Sequence, residues 1–214
     1  MSHLTRTERL ILLCLVPFYA IGTVLHLNDA TVGLMLLLTP YSIPLTSFVG
    51  FFFELKTSNR PLLFWALTTF LVTLALEIIG VATSVIFGAY SYGSTLGLQF
   101  FAVPLLIGIN WTLIILGISL VVGTIVSKPS LAALVTASFT VLFDFVMEPV
   151  AIRFDYWSWE GGTIPLQNYV AWFCIAYLFS YLFHRKGIQA TNKVPTLIVA
   201  IQFLFFLILR GFAL

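Results

Sequence analysis

The chain has 214 residues, of which 60% are hydrophobic and only 8% charged, against about 25% charged in an ordinary water-soluble domain. One aqueous core of this size cannot bury so much apolar surface, so several bilayer spans are expected. A net charge of +2 gives no basis for a nucleic-acid partner. Cys14 and Cys174 each lie inside an apolar run, which excludes a disulfide framework and reads as packing.

A span needs about 20 largely apolar residues, because each rises about 1.5 Å across a core of about 30 Å. Seven stretches qualify: 8–27, 32–53, 62–87, 98–125, 130–152, 166–184 and 194–213. The first follows Arg6 and Arg9 like a leader, yet lacks a convincing small-residue cleavage site and reads as a retained helix. Asn28-Asp29, Ser58-Asn59-Arg60-Pro61 and Ser127-Lys128-Pro129-Ser130 mark turns, and Pro129 and Pro195 suit helix starts. Pro40 and Pro44 are expected to kink or break helix two, and Pro104 to disturb the start of helix four. The fold class is therefore all-α: a polytopic membrane helix bundle forming one transmembrane domain over 1–214.

Basic residues orient such a bundle in the cell membrane. With a cytoplasmic N-terminus, Arg6, Arg9, Lys56, Arg60, Lys128, Arg185, Lys186 and Lys193 fall on the cytoplasmic side. Arg153 and Arg210 fall outside, as does the C-terminus. The outward loops after helices three and five are rich in aromatic residues, and their flanks align. Glu77 precedes Tyr90-Ser91-Tyr92 by the distance that separates Asp144 from Trp157-Ser158-Trp159. Pro104 to Trp111 matches Pro165 to Trp172. Residues 62–125 and 130–184 thus read as an internal parallel repeat, whose acid-bearing helices three and five line one shared cavity.

Glu77, Asp144 and Glu148 interrupt lipid-spanning stretches, where a charged side chain costs about 2.5–3.5 kcal/mol on insertion scales and usually marks an interior site. Asp144 and Glu148 are one helical turn apart and share a face. Two carboxyls in one low-dielectric site divide naturally into a protonated donor and an ionised partner that activates water. The structural alternative for Glu148 is a bond across the bundle or an ion pair with Arg153, which with Asp155 would form a rim. Glu54 beside Lys56 reads as an interfacial ion pair, and His26 and His184 as interfacial residues. Asn110, Gln167 and Asn168 are placed to hydrogen-bond within the cavity. Nucleotide, dinucleotide, paired-histidine and cysteine-cluster motifs are absent, which favours chemistry without metal or cofactor.

Taken together, Glu77-Ile78-Ile79-Gly80-Val81-Ala82-Thr83, Phe87-Gly88-Ala89-Tyr90-Ser91-Tyr92, Asp144-Phe145-Val146-Met147-Glu148-Pro149, Trp157-Ser158-Trp159 and Ile164-Pro165-Leu166-Gln167-Asn168-Tyr169-Val170-Ala171-Trp172 carry a resemblance. The chain resembles the integral-membrane carotenoid biosynthesis family that includes carotenoid 1,2-hydratases. The likeness runs from helix one onward. The segment Gly161-Gly162-Thr163-Ile164-Pro165 departs from the family's usual form and bears on substrate detail. The resemblance implies a cofactor-independent lyase, with an acyclic carotenoid and water as substrates and membrane lipid as surroundings. It would hydrate the terminal C1–C2 double bond to a tertiary alcohol.

The residues fit that chemistry. Protonation at C2 leaves a tertiary cation at C1 that water captures. Glu77, Asp144 and Glu148 would supply acid and base, and the substrate-binding set would be Tyr90, Tyr92, Asn110, Trp157, Trp159, Asn168 and Trp172. Aromatic faces stabilise such a cation by roughly 0.5–2 kcal/mol each. A proton-coupled transporter and a carotenoid cyclase are the alternatives. The hydratase reading requires the carboxyls of helices three and five to face one another in an apolar chamber long enough for the substrate.

Overall fold

A computed structural model of the chain describes residues 4–212. Among them, seven helices are long and apolar enough to cross a membrane. They are α1 (Arg6–His26), α2 (Val32–Lys56), α3 (Arg60–Thr83), α4 (Leu105–Val122), α5 (Pro129–Arg153), α6 (Leu166–Arg185) and α7 (Val194–Phe212). The protein is an all-α, multi-pass membrane bundle. Large apolar side chains such as Leu13, Leu37 and Phe64 are exposed on its outside, as a hydrocarbon solvent permits.

Local chemistry sets the helix ends. Thr5 and Glu8 form a reciprocal capping box that opens α1. Pro61 and Pro129 occupy the first turns of α3 and α5, where a missing N–H costs nothing. Helix α3 stops at Ser84, which takes a left-handed conformation (φ 59°), so it ends four residues earlier than expected. Helix α4 starts at Leu105 rather than 98. Residues Gln99–Phe100 (β2) and Val103–Pro104 (β3) instead form a hairpin, turning through Phe101 and Ala102 at positive φ. Pro104 caps α4 from outside, as Pro165 caps α6. Helix α2 runs as one continuous element through Pro40 and Pro44, so the prolines do not break it. Around the prolines, Thr39, Ser42 and Thr46 hydroxyls donate to backbone carbonyls of the preceding turn.

Helix α4 runs through the middle, with Leu113, Ile114, Ile115 and Leu116 wholly buried. Lipid is as apolar as leucine, so close packing rather than water exclusion holds such helices together. Gly117 allows that closeness: a Cβ there would lie 2.6 Å from Val199 Cγ2 and 2.9 Å from the Pro195 carbonyl of α7. Cys14 and Cys174, expected as packing residues, are instead exposed on α1 and α6.

At the end of the bundle that carries eight of the ten basic residues, Glu54 corrects another expectation. It is fully buried, not an interfacial partner of Lys56. Its carboxylate accepts from Asn59 Nδ2 (2.6 Å), the Thr191 backbone N–H and hydroxyl (both 2.8 Å) and Asn192 Nδ2 (3.1 Å). The reason is geometric: residues two apart on a helix point to different sides. Glu54 thereby ties α2 to the α2–α3 and α6–α7 connections, and Glu8 adds a bond from the Lys193 backbone N–H (2.7 Å).

Candidate functional site

At the opposite end, the two aromatic loops pair with each other. Tyr90–Tyr92 (β1) and Trp157–Trp159 (β4) form an antiparallel ladder with Tyr90 opposite Trp159, Ser91 opposite Ser158 and Tyr92 opposite Trp157. Alternate strand residues face alternate sides. Both tryptophans are buried and Ser91 and Ser158 are exposed. The loop reaches this position partly through Gly88, whose φ of 105° suits glycine and whose Cβ would sit 2.6 Å from Pro165 Cγ.

Beneath the ladder lie the three acids, all buried. Glu77 Oε2 accepts from the Tyr90 and Tyr92 hydroxyls, the latter at 2.7 Å. Glu148 Oε2 accepts from Trp157 Nε1 and Trp159 Nε1, both at 2.9 Å. Asn168 Nδ2 of α6 bridges Asp144 Oδ2 (2.9 Å) and Glu148 Oε1 (3.2 Å). Burial and the adjoining Glu77 carboxyl push both phenols well above their ordinary value of 10, so they remain O–H donors. An indole N–H can only donate, which fixes Glu148 Oε2 as an acceptor.

These groups enclose a cavity of about 20 Å³ lined by Glu77, Asp144, Glu148, Asn168 and the surrounding aromatic rings. Space of that size holds about one water molecule. Trp111 and Trp172 stack at 3.7 Å against it, and Phe87 stacks on Trp172 at 5.3 Å. Tyr90 and Trp159 rings lie 4.9 Å apart on the other side.

Nine of the residues singled out from the sequence converge here: Glu77, Tyr90, Tyr92, Asp144, Glu148, Trp157, Trp159, Asn168 and Trp172. Three do not. Asn110 lines a separate, larger cavity, because on α4 it is Trp111, one position on, that turns toward the acids. Arg153 and Asp155 are exposed, and neither bonds to the acids, whose partners are phenols, indoles and an amide. Gln167 also points elsewhere, donating to the Val85 carbonyl. The expected long chamber is not between the acids either. An apolar cavity of about 440 Å³ lies next door, bounded by α1, α2, α4, α5 and α7. The two spaces share Ile107, Trp111 and Trp157. Trp111 was not assigned to the site from the sequence, although its alignment with Trp172 across the repeat was the signal for it.

A family model described as "Carotenoid biosynthesis protein" matches residues 35–214. The chain belongs to this family. The matched region spans the three acids, the aromatic ladder and Asn168. Over 200 aligned residues the chain is also 28% identical to the bisanhydrobacterioruberin hydratase of Haloarcula japonica, an alignment covering 81% of this chain and 66% of that protein. The chain thus spans just under two thirds of that relative's length. No solved structure matches.

Proposed function

We propose that this member of the carotenoid biosynthesis family is a hydratase that adds water across the terminal double bond of an acyclic carotenoid, giving a tertiary alcohol. The observation that carries the reading is the convergence of three buried carboxyls on a space the size of one water, beside an apolar cavity. The name of the Haloarcula relative points to the same reaction class.

The hydrogen bonds suggest the roles. Glu148 receives three N–H donors and is the base: it takes a proton from the enclosed water. Asp144 receives only the Asn168 amide and is the acid that protonates C2. The C1 cation is attacked by the water oxygen as the water proton passes to Glu148. Return of that proton to Asp144, its neighbour across Asn168, restores the starting state. Glu77 sits at the far wall with its two phenols, where its charge opposes the developing cation's. Trp111, Trp172 and Trp159 offer ring faces to that cation. An internal repeat of 62–125 and 130–184 would give each half a helix acid bonded to its own following aromatic strand. The acid so bonded in the second half is Glu148 and not Asp144, the counterpart of Glu77 by spacing. The basic end of the bundle is taken as cytoplasmic in the cell membrane, which puts the site in the outer half.

The test is mass spectrometry of pigments from a lycopene-producing host with and without this chain. The hydratase reading expects products heavier by one water per modified end. A rearranged product of unchanged mass would instead identify a cyclase, and unchanged pigment would refute both.

A further inference from the structure

The 440 Å³ cavity has no part in the chemistry just described, yet it is built as a binding site. Its wall is hydrocarbon and aromatic, and its volume falls within the range of pockets that hold small ligands, roughly 300–1,000 Å³. Thr39, Met35, Tyr156 and Gln202 form buried parts of the wall. Gln202 is 4% exposed, and its Oε1, like Nε2 of His26 in the same wall, is buried with no hydrogen-bond partner among the described residues.

The mouth is as informative as the interior. Phe18 and Ile21 of α1, and Leu38, Tyr41 and Leu45 of α2, line the cavity and are also exposed. All lie within the two spanning helices, so the opening between α1 and α2 faces lipid rather than water. At its inner end the cavity meets the acid pocket across Ile107, Trp111 and Trp157. The acid pocket itself admits one water and no isoprenoid end.

We infer that this cavity is the polyene chamber: an acyclic carotenoid enters sideways from the bilayer between α1 and α2. Its end group reaches the acids when the Trp111–Trp157 wall gives way. The inference rests on the carotenoid reading but concerns a different set of residues from the chemistry. It makes the wall tryptophans the specificity element, since they decide how far the chain end advances.

Gly22 supplies a clean probe. It lines the cavity, and a Cβ built there meets nothing within 4 Å, so a side chain can be attached without a clash at the backbone, and thermal unfolding in detergent checks that the ring is tolerated. Binding of lycopene to purified protein would be followed by the induced circular dichroism of the polyene. An Asp144→Asn background removes turnover from the measurement. Adding Gly22→Phe or Ser42→Phe should weaken binding at least about tenfold, since the ring takes volume the ligand needs. Leu13→Phe, on the lipid face of α1 outside the cavity, should leave it unchanged. Equal binding by Gly22→Phe, Ser42→Phe and the background would overturn the chamber even if the parent chain hydrates carotenoids. Loss of binding on plugging, with no hydrated product from the parent, would keep the chamber and reject the hydratase.

Discussion

Replacing Glu148 by glutamine isolates the proposed base with almost no change of shape. The carboxylate takes two indole N–H groups on Oε2 and the Asn168 amide on Oε1. A carboxamide has one acceptor oxygen. Turned toward the indoles, it keeps both 2.9 Å bonds and sets its NH₂ against Asn168. One hydrogen bond is lost, costing about 1–3 kcal/mol, which Asn168 can reduce by flipping its own amide. The fold should therefore survive, as thermal unfolding in detergent would establish. Hydration should not: the water loses its proton acceptor, and removal of a general base typically costs about 10²–10⁴-fold. The assay is product fraction by liquid chromatography and mass spectrometry, normalised to folded protein, with Glu160→Gln at an exposed position as control. Folded Glu148→Gln protein that hydrates within about threefold of the parent, far below the ~10²-fold loss expected for a base, would refute the assignment.

Asp144→Asn should abolish hydration without loss of folded protein, and measurable product from it would move the acid role to Glu77. Glu54→Ala leaves several donors unpaired at the basic end, so it should lower stability by about 3 kcal/mol or more while conversion per folded molecule stays level; an unshifted melting temperature would contradict the clamp. Burial raises the phenols of Tyr90 and Tyr92, and pushes that of Tyr156 to about 12. The folded state then holds these protons after the unfolded chain releases them near 10, so stability is full below about pH 10 and falls above it. Tyr156→Phe should flatten that alkaline decline in an unfolding series against pH, and an unchanged slope would count against it. Ser91→Ala with Ser158→Ala alters only the exposed side of the ladder, so conversion should remain at the parent level; a large loss would place those hydroxyls in the site.

The sequence was most legible where bilayer physics is strict. A carboxyl inside a lipid span is costly enough to require a reason, and Glu77, Asp144 and Glu148 do meet in one pocket. Helix ends were less legible. The sequence from 98 onward is apolar enough for α4; Pro104 marks the disturbed start, but nothing local announces that Gln99–Pro104 folds as a hairpin. Three-residue strands are too short to carry a period of two, so the β1–β4 ladder was visible only as two similar loops. Asn110 and Glu54 failed for one shared reason. Both were judged by polarity and neighbours in sequence, whereas a rotation of 100° per residue on a helix decides what each faces.

The ladder explains why the motif is aromatic–Ser–aromatic rather than two adjacent aromatic residues. To bring two donors to one carboxylate oxygen, residues i and i+2 must point the same way. A strand does this, and a helix separates them by about 200°. Pairing β1 with β4 then couples the halves: a one-residue slip of one strand against the other would turn that strand's two aromatic residues outward and bring its serine in. A serine is too short to span the same distance, so the acid beneath that strand, Glu77 under β1 or Glu148 under β4, would lose those donors. The acids in turn oppose the slip, because a buried carboxyl would be left short of its donors. Strand register and carboxyl geometry therefore hold each other in place. This mutual constraint holds the three carboxyl groups around a single water-sized space, where their hydrogen-bond partners among the described residues are neutral phenols, indoles and an amide.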